Sequence, residues 1–227
     1  MSLKKPIRTK FYSKNSEIVD ISTWKNTSGS AMDLYRRYGW EGAMAWGNLI
    51  HNELNFHGPG VEEGDVFLDI GANIGMSSIR AESCGASKIY AIEPDVDIFE
   101  ALNKNKNDNW TIENVGISNK EETIQVSKWP NNSEYRDCPA ITLETFLKKH
   151  RIEKIDYMKV DIEGAEKTAF NDTPIKTWNK IRKVFIEMHD FSSEETQNFI
   201  VMFLDKLNFP SHHILLGQHQ NFLWLWK

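Results

Sequence analysis

Compact apolar runs alternate with amphipathic stretches along most of the chain. VFLDIG (66–71), KIYAIE (88–93), TIENVGI (111–117), IDYMKVD (155–161) and KVFIEMH (183–189) are short and rich in β-branched residues. Such runs predict strands buried on both faces of a sheet. The intervening segments have helical character: about Gly75 to Ser83, 95–106 with Asp95 as N-cap, and 141–150. A further helix opens near Glu163, and another begins at Thr173-Pro174 with proline in its first position. Ser192 and Glu195 have capping-box spacing for a helix running to about Leu207. HHILLG and NFLWLW near the C-terminus predict an antiparallel pair, with Gly217 and Asn221 flanking the loop between them. Shorter strands are expected at 123–127 and near Glu17–Ile21.

Repeated strand–helix alternation ending in a hairpin predicts a doubly wound, mostly parallel α/β sheet. Residues 33–56 carry Leu34, Tyr38, Met44, Leu49 and Leu54 on one prospective apolar face, so an N-terminal helical cover is expected. The predicted division is an extension and cover over 1–57 and a main domain over 58–227.

Composition narrows the function classes. The 227 residues carry a formal net charge of -5, which argues against general attraction to nucleic-acid backbones. The basic start, MSLKKPIRTKFYSK, reads as a solvated arm or a contact for an anionic partner. It lacks the apolar stretch of a signal peptide. No apolar run approaches the ~18 residues of a spanning helix. Cys84 and Cys138 form no CxxC pair, so free thiols in a reducing, cytoplasmic setting are expected. The sequence does not reveal the oligomeric state.

In a doubly wound sheet, ligands bind beyond the carboxyl ends of the strands. The first strand there runs into Asp69-Ile70-Gly71-Ala72-Asn73-Ile74-Gly75. Glycines at such a turn permit close backbone approach, and the following helix offers N–H groups to a ligand. The second strand ends in Glu93, where a carboxylate can accept from both hydroxyls of a ribose. A dinucleotide loop of the G-x-G-x-x-G kind is not met, because Asn73 and Met76 replace two of its glycines. Asp69 would repel a pyrophosphate and welcome an ammonium. S-adenosyl-L-methionine has an ammonium, a carboxylate for the Gly71–Gly75 N–H groups, and no phosphate. The charge pattern therefore favours it over NAD.

These segments resemble class I S-adenosylmethionine-dependent methyltransferases. VEEGDVFLDIGANIGMSSI followed by IYAIEPD carries the first part of the likeness. Asn114-Val115-Gly116-Ile117-Ser118 resembles an N-x-A-L-S strand end, with Gly116 replacing the usual alanine. DYMKVDIEGAE (156–166) and FIEMH (185–189) are similar to segments of FkbM-type methyltransferases. The resemblance spans about residues 60–190. It implies a Rossmann-like seven-stranded sheet with a C-terminal antiparallel hairpin. It also implies methylation of a hydroxyl oxygen, often of a sugar or natural product. The cofactor residues then expected are Asp69, Gly71, Asn73, Gly75, Glu93 and Asn114.

Methyl transfer needs acceptor, methyl and sulfur in line, and a base for the hydroxyl proton. Strand alternation places Lys159 and Asp161 on one face, where their pairing would keep the carboxylate ionised. Asp161 and Glu163 are the leading acceptor-side candidates, supported by Lys159, Glu187 and His189. His189 is chemically the best base at neutral pH. Asp161, Glu187 and His189 could also hold a divalent metal, but their spacing matches no recognised ligand pattern, so no metal is assigned. The polar segment 128–139, with Trp129, Tyr135 and Arg136, is expected to be an acceptor-side loop. Two other readings stand beside the enzyme: a non-catalytic S-adenosylmethionine-binding module, and an NAD-linked oxidoreductase.

Overall fold

The computed structural model describes residue 8 and residues 10–15, 17–20, 59–127, 134–216 and 220–227. The expected helical cover, Gly217 and Trp129 lie outside the described residues.

A small hairpin comes first, β1 (Lys10–Tyr12) against β2 (Ile18–Asp20). The main sheet then builds from β3 (Val66–Ile70), β4 (Lys88–Ile92) and β5 (Trp110–Glu113). Helix α1 (Met76–Cys84) joins β3 to β4, and α2 (Val96–Asn105) joins β4 to β5. Three further strands, β6 (Gly116–Ile117), β7 (Glu122–Ser127) and β8 (Tyr135–Ile141), form a separate sheet in the order β6-β8-β7. The chain returns through α3 (Leu143–Lys149) to β9 (Ile155–Val160). It continues through α4 (Glu166–Ala169) and α5 (Ile175–Trp178) to β10 (Ile181–His189). Helix α6 (Ser193–Val201) runs on as a wider π-type turn over Met202–Lys206, and β11 (Ser211–Leu216) and β12 (Gln220–Trp226) close the fold.

The seven-stranded sheet has the order β11-β12-β10-β9-β3-β4-β5. β12 is the one antiparallel strand, pairing with both β10 and β11. The expected doubly wound sheet with its terminal hairpin is therefore observed. Each face has its own core. Phe67, Tyr157, Phe185 and Trp224 pack under α1 and α2. Leu68, Met158, Val184 and Ile186 pack under α3 with Trp178 and Phe203. All six residues of β9 are buried, as a central strand covered on both faces requires.

Local chemistry explains most boundaries. The Asp95 carboxylate accepts from the N–H groups of Asp97 and Ile98 and starts α2. Ser192 and Glu195 form the expected reciprocal capping box. Pro174 is the N-cap of α5 and not its first residue. The expected strand over 111–117 breaks after Glu113, because the Asn114 amide donates to the carbonyls of Glu93 and Pro94, at 2.9 and 2.8 Å. That turn sends Gly116–Ile117 to pair with β8. The helix expected near Glu163 begins at Glu166, since Glu163 and Gly164 take φ of 54° and 101° and form a turn.

The N-terminal hairpin is tied down by the buried Asn105, whose amide donates to Tyr12 O and Ile74 O. Arg8 bonds Glu82 and the Asn105 carbonyl, so this part of the basic arm is paired within the chain. At the amino edge of the sheet Lys183 meets Asp65 at 2.8 Å, and Arg182 meets Asp156 at 3.2 Å. Those charges hold strand starts together and leave the carboxyl edge for chemistry.

Candidate active site

The loop after β3 is tight for reasons internal to the protein. Gly71 has φ +74°, and a Cβ there would lie 1.7 Å from the carbonyl oxygen of Asp161. Gly75 has φ +93°, and a Cβ would lie 2.9 Å from Leu102 Cδ1. Both glycines thus serve packing and backbone conformation. The loop N–H groups are also committed. Gly71 and Ala72 donate to Ile92 O, Asn73 to Glu93 Oε2, Ile74 to its neighbour's Asn73 Oδ1, and Gly75 to Ala72 O. The expectation that the Gly71–Gly75 N–H groups face a ligand carboxylate is therefore corrected. The Gly75 N-cap of α1 supplies no side-chain hydrogen bond to the helix start. We expect Gly71→Ala to force Asp161 to move and to cost at least about 2 kcal/mol, read as a lower melting temperature. A melting curve matching the unsubstituted protein would contradict that contact.

Glu93, 6% exposed, sits at the end of β4. Its Oε1 accepts from Asp95 N at 2.9 Å and its Oε2 from Asn73 N at 2.8 Å. Burial pushes its carboxyl up to about 7 against the pull of those two N–H donors. Beside it lies a small open recess lined by Pro94, Asp95, Asn114, Arg136 and Cys138 among others. Asn114 borders the recess, while its amide is spent on the turn carbonyls. The segment expected to face the acceptor is partly strand β8. It lines this recess, with Arg136 paired to Asp97 at 2.7 Å. Residues 135–139 are strand where a loop was expected, because Pro139 and a run of polar residues mimic a loop.

On the other side of the same loop stands Lys159, buried under Gly71. Its ammonium donates to Gly71 O at 2.7 Å and meets Asp161 Oδ2 at 3.1 Å and Asp69 Oδ1 at 3.6 Å. Burial works against its charge, yet Asp161 and Asp69 outweigh that and hold it protonated well above the usual lysine range. The expected Lys159–Asp161 pair is present. Asp69 is 0% exposed and accepts from Ser78 Oγ at 2.6 Å. Burial raises its pKa, opposed by Lys159 and Ser78. Its Oδ1 is buried without a hydrogen-bond partner. Asp69 thus anchors α1 and Lys159, and the structure shows no open face of it for a ligand ammonium.

The register of β9 and β10 pairs Phe185 with Lys159 and Ile186 with Val160, which brings Glu187 and His189 alongside Asp161. His189 Nδ1 contacts Glu166 Oε1 at 3.0 Å, and its Nε2 lies 3.7 Å from both Glu187 and Glu163. Burial alone would lower its pKa. The Glu166 hydrogen bond and the charges of Asp161 and Glu187 outweigh burial and push it up to about 9. The protonated form is thus favoured at neutral pH, which speaks against a resting base there. Glu166 is fully buried and fixed by the N–H groups of Ile162 and Gly164. Sequence reading gave it no site role, although its place in EGAE, one turn past Asp161, was the available signal. Glu163 has an 85% exposed side chain on the strained turn.

A seven-stranded sheet in this order, with its charged groups gathered at the carboxyl edge, is the fold of the class I methyltransferases. The chain matches the Methyltransferase FkbM domain over residues 69–211, and it belongs to that family. It is 23% identical over 180 residues to the 31-O-demethyl-FK506 methyltransferase FkbM of Streptomyces tacrolimicus, covering 59% of this chain and 69% of that protein. Among solved structures it is similar to methyltransferase FkbM from Methylobacillus flagellatus KT, with a TM-score of 0.51 and 19% identity. That superposition covers 72% of this chain and 44% of the other, so the present chain spans less than half of that protein's length. Among the described residues no helix is long and apolar enough to cross a membrane.

Proposed function

We propose that residues 58–227 form a domain that transfers a methyl group from S-adenosyl-L-methionine to a hydroxyl oxygen of a small acceptor, a sugar or secondary metabolite. One observation carries this reading: the loop 69–75 is gripped from both sides. Glu93 holds it at Asn73 N, and Lys159 holds it at Gly71 O. A nucleoside beside Glu93 and an acceptor beside Asp161 would then meet across one rigid turn. The recess near Pro94 and Asn114 suits the base, Glu93 suits the ribose hydroxyls, and the uncapped start of α1 suits the amino-acid carboxylate. The relative from Streptomyces is named for an O-demethyl substrate, which supports oxygen as the methylated atom.

S-adenosyl-L-methionine bound there would supply an electrophilic methyl group, the acceptor oxygen replacing sulfur on that carbon while sulfur keeps the electron pair. The protein's part is alignment and removal of the hydroxyl proton. Lys159 orients Asp161, and Asp161 with Glu187 receives the acceptor hydroxyl. Glu163, the most open carboxylate of the group, takes the proton and passes it to solvent. Positioning and base catalysis of this kind are worth about 10²–10⁴-fold for the base alone. Glu163→Gln is accordingly expected to lower kcat at least about tenfold with unchanged affinity for S-adenosylhomocysteine. An unchanged kcat would remove Glu163 from this role.

The test is incubation with methyl-labelled donor and a panel of sugars and hydroxylated natural products, followed by mass spectrometry of the products. A methyl ether is the expected product. Labelled nitrogen would overturn the oxygen assignment. Donor binding without turnover on any acceptor would favour a cofactor-binding module.

A further inference from the structure

We propose that Asp161, Glu187 and His189 form a binding site for one hard divalent cation of the Mg²⁺ or Mn²⁺ kind. The site itself is argued from geometry, and the cation's role as a seat for the acceptor hydroxyl rests on the methyl-transfer reading. Each of the three side chains offers one ligand atom, and these atoms lie within 4.8 Å of one another. Two carboxylate oxygens and one imidazole suit an octahedral hard cation, and three protein ligands leave coordination positions for water or a hydroxyl. All three side chains are only partly buried, so those positions open to the cleft.

Two independent features point to a missing positive charge. The first is orientation. His189 Nδ1 is tied to the buried Glu166, which is itself fixed by two backbone N–H groups. That leaves Nε2 directed at Glu187 and Glu163 at 3.7 Å, beyond hydrogen-bond reach. A carboxylate behind an imidazole is the arrangement that aims a metal-binding nitrogen. The second is the buried Asp69 Oδ1, which lacks a hydrogen bond and lies 3.6 Å from Lys159. Lys159 divides itself between Asp69 and Asp161. Among the described residues, Asp69, Asp161, Glu163, Glu166 and Glu187 gather around Lys159 and the His189 imidazole. A cation on Asp161 would relieve that excess and free the ammonium for the unbonded Asp69 oxygen. Coordination would also acidify an acceptor hydroxyl bound to the cation.

The experiment is titration of the chelator-treated protein with Mn²⁺, followed by electron paramagnetic resonance, with and without S-adenosylhomocysteine. One Mn²⁺ per chain is expected, with a ¹⁴N coupling that His189→Asn abolishes. Asp161→Asn, Glu187→Gln and His189→Asn should each weaken uptake at least about tenfold. No uptake up to about 5 mM Mn²⁺ or Mg²⁺ would overturn the site, as would uptake without ¹⁴N coupling or indifferent to Glu187→Gln. Calorimetric titration of S-adenosylhomocysteine into the same samples separates the two readings: binding there with no metal uptake refutes the cation site alone.

Discussion

Asp161→Asn is expected to lower kcat by about 10²-fold through loss of acceptor positioning, while changing S-adenosylhomocysteine affinity by no more than about threefold. The side chain stands just past the end of β9, partly open to the cleft, and makes its charged contact with Lys159 at 3.1 Å. The amide keeps the shape and loses the negative charge that faces the acceptor. Lys159 keeps Gly71 O and Asp69 as partners, so its burial remains compensated and the fold should persist. A matching far-ultraviolet spectrum and retained ligand affinity check that premise. A variant that turns over at the parental rate would remove Asp161 from the chemistry. Equal losses in affinity and rate would instead make it a support of the loop at Gly71.

Glu93→Gln should act on the other side of the loop. The amide can accept through one oxygen only, so one of the N–H donors at Asp95 and Asn73 loses its acceptor. Charge-assisted bonds to two ribose hydroxyls are lost as well. At about 1.5–3 kcal/mol for each of two hydrogen bonds to a charged group, at least roughly 100-fold weaker S-adenosylhomocysteine binding follows. The parent protein should also show a pH signature. Burial pushes the Glu93 carboxyl from 4.5 to about 7, and ribose hydroxyls would stabilise its anion. Affinity should therefore rise with pH up to about 7, flatten above it, and lose this dependence in Glu93→Gln. The free protein should move oppositely. A carboxyl raised on folding contributes its stability fully below pH 4.5 and loses it as pH rises through about 7. That shift corresponds to about 3 kcal/mol across the interval. Flat affinity between pH 5.5 and 8 would contradict the role of Glu93.

The parallel strands were legible because a strand covered on both faces must be apolar throughout, as in β9 with its six buried residues. The capping box at Ser192 and Glu195 was equally readable, since both partners are close in sequence. The sheet of β6, β7 and β8 was legible only at β7, expected over 123–127. β8 alternates exposed and buried positions, but Arg136, Asp137 and Pro139 within it mimic a loop. The site divides in the same way. Residues at strand ends, such as Glu93 and Asp161, follow from topology. What they touch does not: the glycines of the loop are explained by Asp161 O and Leu102, contacts far away in sequence. Asp69 looked like a ligand group until burial and Ser78 were visible. His189 looked like a base until Glu166, 23 residues away, was seen beside it.

The most direct test of the account is calorimetric titration of S-adenosylhomocysteine and, separately, NADH into the purified protein and into Glu93→Gln. The account predicts micromolar binding of S-adenosylhomocysteine, weakened at least roughly 100-fold by the substitution, and much weaker binding of NADH. Tighter binding of NADH, or no binding of S-adenosylhomocysteine, would contradict it.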